Sequence, residues 1–291
     1  MSAKILFVGA GPGAADLLTI RAANAIAVAD IVIWASSLVH EDVLDHARDD
    51  AEVLDSKVLT LEDVLGVYRR AQADGLTVAR IHSGDPSVYG AMQEQLDAID
   101  ELGVDWEIIP GVTSVAAVAA AVGRELTIPE IAQSVVFTRM ATRTPMPAGE
   151  ELRDLARHGT TMALFLSAAR PKKLQAELLV GGYPPETPCV VGYRVSWPDE
   201  RIVTCRLDEL GATIRDMQVT MHTLVLVGPA LHARGTRSNL YSPTFAHTYR
   251  PARGDGADAS DAVEAWSGSS AAPTTEPTSS AVDLHPEPAT S

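Results

Sequence analysis

Short apolar runs alternate with amphipathic stretches through the first half of the chain. Four of these runs are predicted to be strands: Ile5–Val8, Ile31–Trp34, Thr77–Ile81 and Trp106–Ile109. Three amphipathic stretches between them are predicted to be helices: Arg21–Val28, Leu61–Ala73 and Tyr89–Leu102. In the second of these helices, apolar residues recur at the three- and four-residue spacing of one buried face. The alternation of strands and helices favours right-handed crossovers and a parallel sheet.

The second half of the chain is richer in strands. Strands are predicted at Ser134–Thr138, Thr161–Leu166, Cys189–Val195, Arg201–Arg206 and Thr223–Val227. The third and fourth of these flank residues 196–200, which predicts a hairpin. Helices are predicted near Glu150–Arg157, Lys172–Val180 and Leu207–Asp216. This pattern indicates a mixed sheet.

Together the patterns predict an α/β protein of two domains with its active site in the cleft between them. The first domain covers residues 1–127, residues 128–133 form a linker, and the second domain covers residues 134–250. Residues 251–291 differ, because 28 of these 41 residues are Ala, Gly, Pro, Ser or Thr and seven acids accompany one base. Such a segment offers too little apolar surface to offset the entropy of ordering, so we predict a disordered acidic tail.

The overall composition narrows the classes of function. With 38 acidic and 23 basic residues, the formal net charge is −15, which argues against a general nucleic-acid binder. Two cysteines are too few for a disulfide framework, and no residue cluster has the spacing of a metal site. The N-terminal apolar run is too short for a signal peptide, and no stretch is long enough to cross a membrane. We therefore expect a cytoplasmic protein with no metal and no membrane partner.

A glycine-rich turn, Gly9-Ala10-Gly11-Pro12-Gly13-Ala14, follows the first predicted strand. It fits the G-x-G-x-x-G/A fingerprint, which is typical of dinucleotide-binding oxidoreductases. Two features count against that interpretation. No acid ends the second predicted strand to bind a ribose, and Pro12 removes an N–H donor that a pyrophosphate would need. A tight turn that leads to a late-starting helix, with Thr19 as its N-cap, is the simpler interpretation.

Two more polar turns follow predicted strands, at His82–Gly90 and Pro110–Ser114. The carboxyl ends of parallel strands line the ligand crevice of an open sheet, so the three turns are expected to converge there. Gly84 would let a ligand approach the backbone, and Asp85 would accept a hydrogen bond from it. Thr113 and Ser114 either cap the next helix or contact the ligand.

In combination, the stretches Gly9–Thr19, Ser83–Gly90 and Pro110–Ser114 resemble the tetrapyrrole (corrin and uroporphyrin) methyltransferases, over roughly Lys4–Arg250. The resemblance implies two α/β domains, S-adenosylmethionine as methyl donor, a precorrin-type substrate and a homodimer. Segments 34–39, 138–150 and 197–200 are similar to the branch that methylates carbon 11 of precorrin-4 or cobalt-precorrin-4, giving precorrin-5 in cobalamin biosynthesis. Methylases acting at other precorrin positions are the near alternatives.

The same resemblance implies the cofactor contacts, which are Pro12, Ser83, Gly84, Asp85, Val88, Thr113, Ser114, Leu166 and Val195. Ser83 departs from the glycine usual in the family, and Leu166 stands where relatives often have methionine. Substrate contacts are expected at Gly11, Ser36, Ser37, Arg139 and Arg143. The two serines end the second predicted strand, and the two arginines suit the carboxylates of a precorrin because guanidinium groups bind carboxylates through two hydrogen bonds.

The implied reaction is methyl transfer to an electron-rich ring carbon, which depends mainly on positioning and on exclusion of water. No catalytic residue is assigned, although Asp85 is a candidate, and His82 is interpreted as structural. Two alternatives from other classes stay open. An NAD(P) oxidoreductase would rest on Gly9–Ala14 alone, and a tetrapyrrole carrier without enzymatic activity would not need the Ser83–Asp85 and Thr113–Ser114 turns.

Overall fold

The structure is a computed structural model that describes residues 2–234 and 238–252. The described residues fall into two units, one within residues 1–236 and the other within residues 237–291. In the second unit, the described residues include one short 3-10 helix, Asn239–Tyr241, and the Arg250 guanidinium donates to the carbonyl oxygen of Ser242 at 2.9 Å. Nearly all of the predicted disordered tail lies outside the described residues, and the predicted domain boundaries stay a prediction.

The first sheet is entirely parallel. Its strands are β1 (Lys4–Gly9), β2 (Ile31–Trp34), β3 (Glu52–Asp55), β4 (Thr77–His82) and β5 (Asp105–Ile109). They are arranged in the order β3-β2-β4-β1-β5. Helix α1 (Ile20–Ala27) covers one face, and helices α2 (Leu61–Asp74) and α3 (Gln93–Leu102) cover the other. The predicted parallel sheet is confirmed, although β3 was not predicted and α3 begins four residues later than expected.

Local sequence signals explain where these helices begin and end. The Thr19 side chain accepts a hydrogen bond from the Ala22 N–H at 3.0 Å, so the predicted N-cap of the late-starting helix is confirmed. Thr60 and Asp63 form a capping box at the start of α2. Gly75 ends that helix in the left-handed conformation, with φ of 68°.

The second sheet is mixed, as predicted. Its strands are β6 (Val135–Arg139), β7 (Thr161–Phe165), β8 (Pro188–Tyr193), β9 (Arg201–Arg206) and β10 (Thr223–Val227), in the order β6-β7-β10-β8-β9. Strands β6 and β7 are parallel, the other neighbours are antiparallel, and β8 and β9 form the predicted hairpin. One face is covered by α5 (Leu152–Ala156), α6 (Pro171–Val180) and α7 (Leu210–Asp216).

Helix α4 (Ser114–Ala121) connects the two sheets. It begins at the carboxyl edge of the first sheet, after β5, and its residues Val115 and Val118 share an apolar cluster with Ala163 and Leu224 of the second sheet. We refer to residues 2–127 as the first lobe and to residues 134–234 as the second lobe. Because α4 lies in the first lobe but packs on the second sheet, the two lobes share part of one core.

Candidate active site

The three polar turns meet at the carboxyl edge of the first sheet, because β4, β1 and β5 are neighbours. The N–H of Ala10 donates to the carbonyl oxygen of His82 at 2.8 Å. Gly11 and Gly84 then exchange two backbone hydrogen bonds, of 3.1 and 2.7 Å. The glycine loop and the turn after β4 are therefore bonded to each other beyond the end of the sheet, through an antiparallel bridge.

Glycines are required where these turns cross. A Cβ atom added to Gly9 would lie 2.5 Å from the backbone nitrogen of Gly111 and 2.9 Å from the carbonyl oxygen of Gly84. A Cβ atom added to Gly111 would overlap that same oxygen and lie 2.8 Å from the Cα atom of Gly9. The three turns thus pack backbone against backbone, and no other residue type fits at these two positions without displacement.

Asp85 ties the turn after β4 to the turn after β5. One carboxylate oxygen accepts the N–H of Gly111 at 2.9 Å, and the other accepts the N–H of Ser87 at 2.9 Å and the Ser87 hydroxyl. Burial alone would raise the pKa of Asp85, but the hydrogen bonds from Ser87 and Gly111 lower that pKa below its ordinary value. The carboxylate is therefore ionised at neutral pH and already serves three donors. This arrangement favours a role in holding the turns together.

Gly84 lies against the start of helix α4, with room for a Cβ atom between them. Gly84 has φ of 65°, and a Cβ atom placed there would find its nearest neighbours, among them the Ser114 nitrogen and the Thr113 Cα, no closer than 4.0 Å. The Thr113 side chain accepts the N–H of Val115 at 3.4 Å, so the capping role of Thr113 is observed. The turn after β4 therefore places the buried Gly84, which is paired with Gly11, next to the first turn of a helix, where the N–H of Val115 is bonded to Thr113.

The second lobe contributes side chains to the crevice. Leu166 follows β7 with φ of 52° and is 63% exposed. The neighbouring Phe165 ring packs against Tyr89 of the first lobe, at 5.2 Å between ring centres, and against Phe137, at 5.8 Å. Val195 differs, because it is buried in the apolar cluster around α4, so that a ligand would meet mainly its backbone.

The aromatic residues of this group were missed from the sequence. The sequence predicted that Tyr89 begins a helix. In the structure Tyr89 lies in the turn after β4, before helix α3, with φ of 57° and 46% of its surface exposed. Tyr89 packs against Phe165, and Phe165 packs against Phe137 from the adjacent strand of the other lobe. These three rings come together only because the two lobes pack against each other, and no local sequence pattern predicts this contact.

The predicted substrate-side serines lie at the end of β2, next to β4. Ser36 is not free, because its hydroxyl donates to Asp55 at 2.6 Å and its N–H donates to the other carboxylate oxygen at 3.1 Å. These bonds, first that from the Ser36 hydroxyl, lower the pKa of Asp55 far below its ordinary range. Ser37 is exposed, and its backbone contacts the imidazole of His222 from the second lobe. Asp55 was not predicted because it ends the unpredicted strand β3.

The two predicted arginines have different surroundings. The Arg139 guanidinium donates to the carbonyl oxygens of Thr144 and Pro145, at 3.1 and 2.9 Å, and so shapes its own loop. Arg143 lies on that loop, is exposed, and makes no hydrogen bond or ion pair with other described residues. Of the two, Arg143 has its guanidinium available for a carboxylate.

His82 lies at the crevice but is buried and stacks on Phe7, at 5.8 Å between ring centres. Burial, and then the nearby guanidinium of Arg80, lower the pKa of His82 to about 3. The imidazole is therefore neutral at physiological pH, which agrees with the structural role predicted for it.

The remaining predicted residues lie on the same turns. Pro12 and Val88 are half-buried, Ser83 is exposed, and Gly11 is buried in its pairing with Gly84. A cavity of about 420 Å³ adjoins the glycine loop and is lined by residues of both lobes, including Ala14, His40 and Trp197. A larger cavity of about 800 Å³ lies between α6 and α7 and contains none of the predicted site residues.

Two general features of the described residues complete the description. Within residues 2–234 and 238–252, no three His, Cys, Asp or Glu side chains are grouped so that they could hold a metal ion. No helix in this described part of the chain has both the length and the apolar character needed to span a membrane.

Comparison with known sequences agrees with this geometry. Residues 4–211 match the family described as Tetrapyrrole (Corrin/Porphyrin) Methylases. A cobalt-precorrin-4 C(11)-methyltransferase of Methanocaldococcus jannaschii is 44% identical over 248 residues, which cover 85% of this chain and 96% of the relative. A precorrin-4 C(11)-methyltransferase of Mycobacterium tuberculosis is also 44% identical, over 82% of this chain and 96% of the relative.

Solved structures give the same result. The crystal structure of a cobalamin biosynthetic enzyme, cobalt precorrin-4 methyltransferase, is 42% identical and superposes with a TM-score of 0.77, covering 79% of this chain and 96% of its own. A uroporphyrin-III C-methyltransferase from Thermus thermophilus, complexed with S-adenosylhomocysteine, is 28% identical with a TM-score of 0.66. That match covers 79% of this chain and 93% of the relative.

Proposed function

This chain belongs to the tetrapyrrole (corrin/porphyrin) methylase family, and on that premise we propose that it methylates carbon 11 of precorrin-4 or cobalt-precorrin-4 in the synthesis of cobalamin. The observation that carries the proposal is the 44% identity, over most of both chains, to relatives named for this reaction. The crevice described above is where the methyl donor and the macrocycle would meet.

The crevice fits S-adenosylmethionine as the methyl donor. The Gly84 backbone lies beside the first turn of α4, and a glycine at this position lets a ligand approach the main chain closely. When bound, this co-substrate supplies an electrophilic methyl group on a positively charged sulfur. We propose that the residues that hold it are Pro12, Ser83, Gly84, Asp85, Val88, Thr113 and Ser114 from the first lobe, and Leu166 and Val195 from the second.

The protein's own contribution is position and exclusion of water. The acceptor carbon of the macrocycle is enamine-like, so no strong base is needed before it attacks. Asp85 is ionised but serves three donors, and His82 is neutral and buried. We therefore propose that Asp85 positions the turns. Proximity and orientation of the two reactants would provide the main share of the rate enhancement.

The substrate side of the proposal rests on Gly11, Ser36, Ser37, Arg139 and Arg143. Ser37 and Arg143 are exposed, whereas Ser36 and Arg139 support the loops that carry them. A free guanidinium such as that of Arg143 binds a carboxylate side chain of the macrocycle through two charge-assisted hydrogen bonds. From the family resemblance we further propose that the protein is a homodimer, that it is cytoplasmic and that it catalyses the reaction without a metal.

Two measurements test the proposal. Calorimetric titration with S-adenosylhomocysteine should give micromolar binding, while NAD⁺ and NADP⁺ titrated in parallel should give none. Mass spectrometry should then detect the addition of one methyl group to precorrin-4, to cobalt-precorrin-4, or to both. Binding of a nicotinamide cofactor would indicate an oxidoreductase, and binding of the macrocycle without methyl transfer would indicate a carrier. Methylation at another ring position would place the enzyme in a neighbouring branch of the family.

A further inference from the structure

The turn between β8 and β9 is held in an unusual backbone conformation. Arg194 and Ser196, neither of them glycine, have φ of 46° and 70°. Four backbone N–H groups fix this turn. Those of Arg194, Trp197 and Glu200 donate to the carbonyl oxygens of His222, Arg194 and Trp197, at 2.9, 2.9 and 3.1 Å. The N–H of Ser196 donates to the Glu200 carboxylate at 2.8 Å. Left-handed conformations of non-glycine residues cost energy and persist where surrounding contacts impose them, often at functional sites.

This turn contacts the glycine loop of the first lobe directly. The Trp197 indole N–H donates to the carbonyl oxygen of Pro12 at 3.0 Å. The Ser196 hydroxyl oxygen accepts the N–H of Ala14 at 3.0 Å. These two bonds link residues more than 180 positions apart in the sequence and cross from one lobe to the other.

The glycine loop is shaped to receive the indole ring. A Cβ atom added to Gly13 would overlap the Cδ1 atom of Trp197 and lie 2.9 Å from the Ser196 hydroxyl oxygen. The φ angle of Gly13 is not in the left-handed region, so its backbone would tolerate other residues. Gly13 is therefore required because the Trp197 ring occupies the position of its side chain.

Three further side chains contact the Trp197 ring. His40 packs edge-on at 4.8 Å between ring centres, and His222 packs edge-on at 5.5 Å. The Arg194 guanidinium lies 4.9 Å from the ring centre and is itself paired with Asp199 at 2.9 Å. Contacts from both lobes thus support this orientation of the ring, and the ring also lines the cavity of about 420 Å³.

We propose that Trp197 is a positioning residue that locks the glycine loop against the turn carrying Val195, so that Pro12 and Val195 are held in register for methyl transfer. The inference rests on the proposed function, because Pro12 and Val195 are proposed contacts of the methyl donor from opposite lobes. Trp197 binds the Pro12 carbonyl and lies two residues after Val195, so one side chain connects both halves of that site.

The test uses Trp197→Phe, which keeps an aromatic ring but leaves the Pro12 carbonyl without its donor. We expect affinity for S-adenosylhomocysteine to fall roughly three- to tenfold, the range expected for one lost hydrogen bond. The KM for S-adenosylmethionine should rise by a similar factor. The matched control is Trp106→Phe, which removes an indole N–H bonded to Asp100 at 2.6 Å within the first lobe and should leave binding unchanged.

A double-mutant cycle separates positioning from general loss of stability. Gly13→Ala should weaken S-adenosylhomocysteine binding at least tenfold in the wild-type background, but about twofold or less in the Trp197→Ala background, where the ring is gone. Equal effects of Gly13→Ala in both backgrounds, or full affinity in Trp197→Phe, would overturn the inference. If the wild-type chain did not bind S-adenosylhomocysteine, the proposed function itself would fail. If Trp197→Ala does not fold, Trp197→Phe and its control decide the question alone.

Discussion

The two edges that face each other across the crevice are built in different ways. The first lobe offers backbone, since Gly9, Gly84 and Gly111 pack so closely that no Cβ atom fits at two of the three positions. The second lobe offers side chains, of which Leu166 and Phe137 are substantially exposed. A change in the first edge therefore has to move main chain, whereas a change in the second edge alters only what a ligand contacts.

This difference suggests a division of labour. Backbone packed against backbone has little freedom, so under the proposed function the first lobe would set the geometry in which the methyl donor is held. Exposed side chains vary without disturbing a fold, so under the same proposal the second lobe would set affinity and selectivity. Substitutions in the first edge should accordingly affect folding and binding together, and substitutions in the second edge should affect binding alone.

The largest effect is expected for Gly111→Ala. The added methyl group would overlap the Gly84 carbonyl oxygen, and relief requires one turn to move away from the other. We expect a loss of about 3 kcal/mol or more in the free energy of unfolding, together with loss of S-adenosylhomocysteine binding. Urea denaturation and calorimetry would measure the two losses.

The control for this substitution is Gly66→Ala, in helix α2. No atom lies within 4 Å of the Cβ position of Gly66, and alanine favours a helix over glycine, so a gain of up to about 1 kcal/mol is expected. If Gly111→Ala were as harmless as Gly66→Ala, the description of the first edge as closely packed backbone would be wrong.

A smaller effect, which depends on pH, is expected for Asp85→Asn. Its carboxylate accepts three hydrogen bonds, so the neutral amide should reduce the free energy of unfolding by about 1–3 kcal/mol at neutral pH. The pKa of Asp85 is lowered in the folded protein, so the charged form contributes stability above the ordinary value of 3.8, and this contribution is lost as pH falls further.

Unfolding of wild type and Asp85→Asn should therefore be compared at neutral pH and in acid. The difference between the two proteins should shrink as pH falls below about 4. Asp49→Asn is a suitable control, because Asp49 is exposed and makes no side-chain hydrogen bond with other described residues. A difference that stayed constant with pH would show that the charge of Asp85 does not contribute.

Much of the fold follows from local patterns. Strands such as β2, β9 and β10 have the predicted limits, because continuous or alternating apolar runs are strong signals when turn residues bound them. Strand β3 was missed because Glu52–Asp55 is short, half polar and at the sheet edge. Helix α4 was recognised only through its cap, because its apolar residues surround the helix and show no periodicity.

The site was only partly predictable. Gly84, Asp85 and Thr113 lie in turns whose position follows from strand order, so their convergence could be inferred from the sequence. The contact of Trp197 with Pro12 could not, because it depends on how the two lobes pack. For the same reason the sequence assigned Tyr89 to a helix and left Phe137 and Phe165 without a role, whereas Phe165, which precedes Leu166, packs against both of the other rings.

The smallest effect on folding is expected for Leu166→Ala. This substitution also tests the comparison of the two edges most directly. Because Leu166 is 63% exposed, the free energy of unfolding should change by no more than about 0.5 kcal/mol. Affinity for S-adenosylhomocysteine should fall about tenfold, since the ligand would lose an apolar surface. Val180→Ala, on a residue of α6 that is 70% exposed, should change neither quantity. If Leu166→Ala bound the ligand normally, the second edge would not set affinity through this side chain.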